Sequence, residues 1–327
     1  MGLKINSDFN SRGVSLVGSG SATPKQVIHN DELGKRVDTS DAWIKSRTGI
    51  CNRRVIGSEE SLTDISYLAA KQAMRMAGWE PETINMIILA TSTPDDLFGS
   101  ATQIQAKLAA VNSVAFDLTA ACSGFLFALV TASQFVETGS MNRVLVIGAD
   151  QLSRWVDWDD RRSCILFGDG AGAVAIESSQ KNEGLIGFSL KSDGARGSCL
   201  NLPQIETFDD LVGNYSHQKG GFSTVQMNGQ EVYKFAVKEV PLILEEILDK
   251  YQINSDSLDW LLLHQANQRI LDAVAARFLI PSEKVLSNLE NYGNTSAATI
   301  PLMLDEAVRD ERIKSGDLIA CSGFGAG

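Results

Sequence analysis

Two stretches of this chain, 174 residues apart, carry the same strand-forming text. EPETINMIILAT, from Glu80, lies over NSDSLDWLLLHQ, from Asn254. RVLVIGAD, from Arg143, lies over DLIACSGF, from Asp317, at the same offset. Any α/β chain can align strands with strands, but two separate matches in one register favour a unit written twice. Within each unit, strand-like and helix-like segments alternate, which predicts an α/β fold. Residues 62–77 place Leu62, Ile65, Ala69, Ala73 and Met76 on one helical face, with Ser61 and Asp64 to cap the start and Gly78 to end it. Met86–Ala90 reads as a buried strand, followed by helix 100–110, strand 114–118, helix 122–137 and strand 143–149. The second half repeats the order, with helix 231–250, strand 260–263, helix 268–278, a strand near 285, helix 295–309 and strand 317–321. The expected domains are 1–180 and 181–327.

Composition narrows the function. The 327 residues are 44% hydrophobic and 21% charged, ordinary for a globular protein that buries a large core. The net charge of -11 argues against nucleic-acid binding, which needs a basic surface, but leaves room for a local basic patch. Five cysteines without a CxxC pair indicate neither a disulfide framework nor a zinc knuckle. The opening MGLKINSDFN lacks the layout of a signal peptide, and no apolar run is long enough to span a bilayer. These features predict a cytoplasmic protein with free thiols, bound to neither membrane nor metal. The glycine-rich GDGAGA at 168–173 and GFGAG at 323–327 read as turns beside strands, and neither matches a phosphate-binding loop. Residues 204–221 read as a polar surface loop.

In α/β folds, ligands gather at the C-terminal ends of strands and at domain junctions. Cys122 follows strand 114–118 and opens an apolar helix, where the helix dipole and loose backbone N–H groups are expected to lower its pKa. Small neighbours leave room for a substrate. A nucleophile and a buried structural thiol both fit that position, whereas Cys51, Cys164, Cys199 and Cys321 read as structural. His264 ends the strand WLLL, where an imidazole can meet a substrate carbonyl or simply cap the strand. His29 and His217 sit in polar text and read as surface residues. Asn294 precedes helix 295–309 and can serve as a plain N-cap or as an amide donor to developing negative charge. Gly293 before it lets the backbone come close. Thiol proteases also use Cys, His and Asn, but their local signatures are absent.

TSDAWIKSRTGI (39–50), TAACSGF (119–125), FGDGAGA (167–173), LLHQAN (262–267) and NYGNTSAAT (291–299) occur in order. Together they resemble β-ketoacyl-acyl-carrier-protein synthase III, the initiating condensing enzyme of fatty acid synthesis. The resemblance spans residues 39–327. It implies a thiolase-like fold of two duplicated βαβαβαββ halves in a layered αβαβα arrangement, and a homodimer. It implies an acyltransferase that condenses an acyl-CoA primer, acetyl-CoA for preference, with malonyl-acyl carrier protein. No permanently bound cofactor is implied; acyl-CoA is a substrate.

By the same resemblance, Cys122 is the acyl-accepting nucleophile, and His264 and Asn294 bind the malonyl thioester carbonyl. The N–H groups of Cys122 and Ala326 form the second oxyanion site. Trp43 and Arg161 sandwich the CoA adenine, and Arg47 faces its nucleotide; an indole face and a guanidinium plane suit that role. Phe98 crosses the dimer interface to close the partner's acyl pocket, and Phe324 supports the cysteine. Both belong to the expected acyl pocket. Lys234, Arg269 and Arg277, with Lys238, are candidates for docking the acidic carrier protein, although a solvated helix face is the ordinary fate of such residues. Members of the family usually continue for about one more strand beyond GFGAG, and Ala326 stands where a glycine is common. The competing readings are a thiolase-fold acyltransferase of secondary metabolism, a non-catalytic carrier-binding scaffold and a thiol hydrolase. An intact Cys122, His264 and Asn294 argue against the scaffold.

Overall fold

The computed structural model describes residues 12–181 and 183–327. The opening decapeptide, read above for a leader, lies outside the described residues. Fourteen strands run in chain order as β1 (Gly13–Ala22), β2 (Gln26–His29), β3 (Asn52–Val55), β4 (Met86–Ala90), β5 (Val114–Leu118), β6 (Arg143–Gln151), β7 (Asp169–Ser179), β8 (Leu200–Asn201), β9 (Thr207–Val212), β10 (Tyr215–Lys219), β11 (Gln226–Met227), β12 (Trp260–Leu263), β13 (Val285–Leu286) and β14 (Ile319–Ser322). The α-helices are α1 (Asn30–Gly34), α2 (Asp41–Thr48), α3 (Leu62–Met76), α4 (Ala101–Leu108), α5 (Gly124–Glu137), α6 (Arg161–Cys164), α7 (Gly229–Tyr251), α8 (Gln268–Arg277), α9 (Leu289–Tyr292) and α10 (Thr299–Arg309).

Two sheets organise the molecule. The first has the order β1-β7-β6-β4-β5, and the second the order β13-β12-β14 with all strands parallel. In β4 the side chains alternate across the sheet, as the pleat requires. Ile87 and Leu89 face α3 and α4, while Met86, Ile88 and Ala90 face α5 and α10. In β12, Leu262 joins that same inner cluster, while Leu261 and Leu263 pack against α7 and α8. The layers therefore run α3/α4, first sheet, α5/α10, second sheet, α7/α8. Both faces of each sheet are covered, so the central strands read as unbroken apolar runs.

The duplicated register reappears in three dimensions. β4 and β12 open 174 residues apart, and the offset drifts to 175 at α5 and α10. Each inner helix is preceded by a short 3-10 turn, Ala121–Ser123 in one half and Ser296–Ala298 in the other. Both turns begin at a non-glycine residue with positive φ, 43° at Ala121 and 53° at Ser296. The two helices expected from 122 and 295 thus start as tighter turns.

Three expectations need correction. GDGAGA is not a turn: from Asp169 onward it belongs to β7. Its glycines are required by packing, because a Cβ at Gly172 would lie 2.5 Å from the Leu302 backbone nitrogen. Residues 204–221 are not a featureless loop but contain the exposed β9–β10 hairpin. Of the four cysteines read as structural, Cys164 is buried, Cys51 and Cys199 are half-buried and Cys321 is exposed on edge strand β14. His29 and His217 are exposed, as expected.

Candidate active site

The inner helices bring the ends of both halves together. β5 ends at Leu118, and three residues later the chain turns through the left-handed Ala121 to present Cys122. A non-glycine residue held in that region is strained, and such strain is kept where surrounding structure enforces it. Cys122 is buried, and its Sγ accepts a hydrogen bond from Ser296 Oγ at 3.5 Å. From the opposite side comes the C-terminal glycine turn. A Cβ at Gly325 would sit 2.7 Å from Cys122 Cβ, so only glycine lets this backbone lie against Cys122.

His264 follows β12 directly, and its backbone N–H donates to Ser322 O, tying it to β14. Its side chain is buried, with Nδ1 2.7 Å from Thr299 Oγ1. The Phe324 ring meets the imidazole edge-on, with centroids 5.1 Å apart. Asn294 is held by its backbone, which bonds Leu166 and Gly168. Gly293 makes this approach possible, with φ 64° and space for no Cβ beside Leu166 O. Asn294 Oδ1 accepts from the Ser296 N–H at 2.9 Å, which leaves the amide Nδ2 as the end available to a ligand. That bond is the capping role read from sequence, made to the 3-10 turn ahead of α10.

Two cavities meet at Cys122. One, of about 500 Å³, is lined mainly by apolar side chains, among them Leu97, Leu152, Trp155, Phe167, Leu200 and Phe222. The other, of about 100 Å³, contains Cys122, His264, Asn294 and Phe324 together. Phe324 therefore stands beside the imidazole and not in the apolar cavity where it was expected. Phe98 lines neither cavity in the single chain and is 99% exposed, which excludes an ordinary core role. The residues of the apolar wall are scattered along the sequence and carried no local signal.

Electrostatics corrects one further expectation. Burial pushes the Cys122 thiol up to about 11; the Ser296 hydrogen bond pulls it down and the Asp150 charge raises it further. Desolvation is the largest of these effects, so the resting group is a thiol. His264 is held down to about 3 by burial, so its imidazole is neutral. Asp150, missed in the sequence, is a fully buried carboxylate at the end of β6. It accepts from the Thr91 and Thr93 hydroxyls and from the Ser92 and Ala297 N–H groups, binding the β4 end to the Ser296 turn. The acidic residue closing the apolar run RVLVIGAD was the available clue.

The family described as 3-oxoacyl-[acyl-carrier-protein (ACP)] synthase III has a model that matches residues 116–194, and its C-terminal counterpart matches residues 248–327. The β-ketoacyl-[acyl-carrier-protein] synthase III of Prochlorococcus marinus (strain NATL2A) is 72% identical over 315 residues, covering 96% of this chain and 93% of that relative. The chain belongs to this synthase III family. It is an acyltransferase of the condensing type. The crystal structure of 3-oxoacyl-[acyl-carrier-protein] synthase III from Aquifex aeolicus VF5 is 41% identical, with a TM-score of 0.86, over 94% of this chain and 95% of that one. The corresponding enzyme of Pseudomonas aeruginosa PAO1 is 36% identical, with a TM-score of 0.88, over 96% and 95%. The fold is the thiolase fold of these enzymes.

In this synthase, Trp43 and Arg161 are brought together across the sequence. The Arg161 guanidinium lies 4.9 Å from the indole centroid, while its Nη1 donates to Asp38 O. Arg47 lies 5.9 Å from the same ring. Asn267 Nδ2 donates to Arg47 O, and Arg269 Nη2 donates to Ser46 O, so the start of α8 is pinned to the end of α2. Arg277 stands about 12 Å further along α8 by helical rise and pairs with Glu245. Lys234 pairs with Glu231 and Lys238 with Glu239. Such exposed pairs contribute little to stability and open readily to a partner. Among the described residues, no helix is long and apolar enough to cross a membrane.

Proposed function

We propose that this chain performs a two-step decarboxylative Claisen condensation, dividing the work between its two cavities. In the first step the Cys122 sulfur attacks the thioester carbonyl of a short acyl-CoA, acetyl-CoA for preference. The carbon–sulfur bond to CoA breaks, and the thiol proton of Cys122 leaves with the CoA sulfur. The acyl group then lies in the apolar cavity. In the second step malonyl-acyl carrier protein docks outside, its malonyl thioester reaches the cavity that holds His264 and Asn294, and the malonyl group loses CO₂. Its electron pair passes to the thioester oxygen, which N–H donors from His264 and Asn294 stabilise. The enolate carbon attacks the acyl-Cys122 carbonyl, the carbon–sulfur bond to Cys122 breaks, the released sulfur takes up a proton, and the product leaves as β-ketoacyl-acyl carrier protein. The N–H groups of Cys122 and Ala326 serve the tetrahedral oxyanion.

The observation that carries this reading is that Cys122, with Phe167 and Leu200 beside it, lines both cavities. Trp43, Arg47 and Arg161 form the CoA nucleotide site, and Lys234, Arg269 and Arg277 receive the acidic carrier protein. Residues 1–180 supply the nucleophile, and residues 181–327 the donor pair. Phe98 supports a homodimer in which it reaches the partner's acyl pocket. The enzyme acts in the cytoplasm, without a resident cofactor or metal.

Separate assays of the two steps test the division. His264→Ala and Asn294→Ala should keep acetyl transfer to Cys122 and lose condensation by about 100-fold, the usual scale for removing an oxyanion donor. Loss of acetyl transfer in both would place the pair in the first step instead. The volume of the apolar cavity favours a second reading, a primer longer than acetyl. Acylation rates with acetyl-CoA and octanoyl-CoA separate the two.

A further inference from the structure

The hydroxyl of Thr299 has one proton and two acceptors within reach. Thr299 Oγ1 is 2.7 Å from His264 Nδ1 and 3.0 Å from Ser296 O. The choice between them sets the tautomer of a buried imidazole. A bond to Ser296 O forces His264 to carry its proton on Nδ1, which leaves Nε2 a bare lone pair. A bond to Nδ1 places the imidazole proton on Nε2.

Three observations decide the choice. Ser296 O already accepts the backbone N–H of Thr299, so it is satisfied without the hydroxyl. The contact to Nδ1 is the shorter of the two. No hydrogen bond joins Nε2 to another described residue, and the imidazole lines the same small cavity as Asn294, whose Oδ1 is engaged and whose Nδ2 is free to donate. A lone pair on Nε2 beside that donor makes a mixed site; an N–H there makes a matched pair of donors.

We propose that Thr299 is a positioning residue: its hydroxyl donates to His264 Nδ1, fixes the Nε2–H tautomer and so makes His264 a hydrogen-bond donor toward an anionic oxygen. Burial keeps the ring neutral, so this donor cannot arise by simply protonating the imidazole. The inference rests on the role proposed above for His264 in condensation, but the tautomer itself is measurable without any turnover.

The test uses the full chain labelled with ¹⁵N-histidine. Three histidines contribute, and His264 is assigned by its absence in His264→Asn. Wild type should show a protonated Nε2 and an unprotonated, hydrogen-bonded Nδ1 for His264 at pH 7. Thr299→Val should lose that signature and lower condensation by at least about tenfold, with acetyl transfer to Cys122 within about twofold. Thr299→Ser should restore both signature and rate. A protonated Nδ1 in wild type overturns the proposal whatever the variants do. So does a Thr299→Val enzyme with wild-type tautomer and condensation. If His264→Ala condenses normally, the reading of the active site fails instead, while the spectrum still decides the tautomer.

Discussion

Cys122 carries its proton at rest, and that proton must leave before the sulfur attacks. With the thiol pushed up to about 11, the thiolate fraction at lower pH rises tenfold for each unit by which the pH is raised toward that value. Alkylation of Cys122 by iodoacetamide should therefore climb about tenfold per unit from pH 7 to pH 9; a plateau by pH 8 contradicts the buried-thiol account. His264 has the opposite consequence for stability. Its folded-state value lies near 3, below the ordinary 6.5, so the unfolded chain binds the proton more tightly. The stabilisation this group provides is complete above about pH 6.5 and is lost as pH falls toward 3. The melting temperature of His264→Asn should thus fall less steeply than wild type between pH 7 and pH 4, as read by calorimetry. Cys122, His264 and Asn294 could be singled out in the sequence because His264 ends a strand, Cys122 and Asn294 stand just ahead of the two inner helices, and all three fall in the ordered motifs. Asp150 and Thr299 were not, because their roles exist only through partners distant in sequence.

At the scale of elements, the inner helices are seated by glycines in β6 and β7, and of these Gly172 reads as part of a turn in the sequence. A Cβ on Gly148 in β6 would meet Ala297 O at 2.3 Å, and on Gly172 in β7 the Leu302 backbone at 2.5 Å. Both neighbours are backbone and cannot rotate away. Gly148→Ala and Gly172→Ala should each cost about 3 kcal/mol or more, the upper range for overpacking, measured by urea unfolding. Gly194→Ala, with nothing within 4 Å, is the control and should be near neutral. Equal stabilities for all three contradict the close approach of helix and sheet. The alternation of strands and helices was legible because burial on both faces writes long apolar runs. β7 was hidden by its glycines, and the β9–β10 hairpin by its full exposure, which leaves no buried face to set a period.

On the scale of the whole molecule, the repeat read from two matched segments became the five layers, with the Cys122 end of one half and the His264 and Asn294 end of the other converging at α5 and α10. What one chain cannot complete is its surface. Leu97 and Phe98 project into solvent, and β5 forms the outer edge of the first sheet. Exposed apolar groups beside an open strand edge mark an interaction surface. On the homodimer proposed above, the wild type should sediment as a dimer and Phe98→Lys should shift it toward monomer and slow acyl transfer; a monomeric wild type, or a dimer unchanged by the substitution, contradicts that proposal. The central claim is that Cys122 accepts the primer. Intact mass after incubation with acetyl-CoA, followed by peptide mapping, tests it most directly. The account predicts one acetyl group on the Cys122 peptide, absent in Cys122→Ala. No acyl group on folded protein with either acetyl-CoA or octanoyl-CoA, or a label that survives Cys122→Ala, contradicts it.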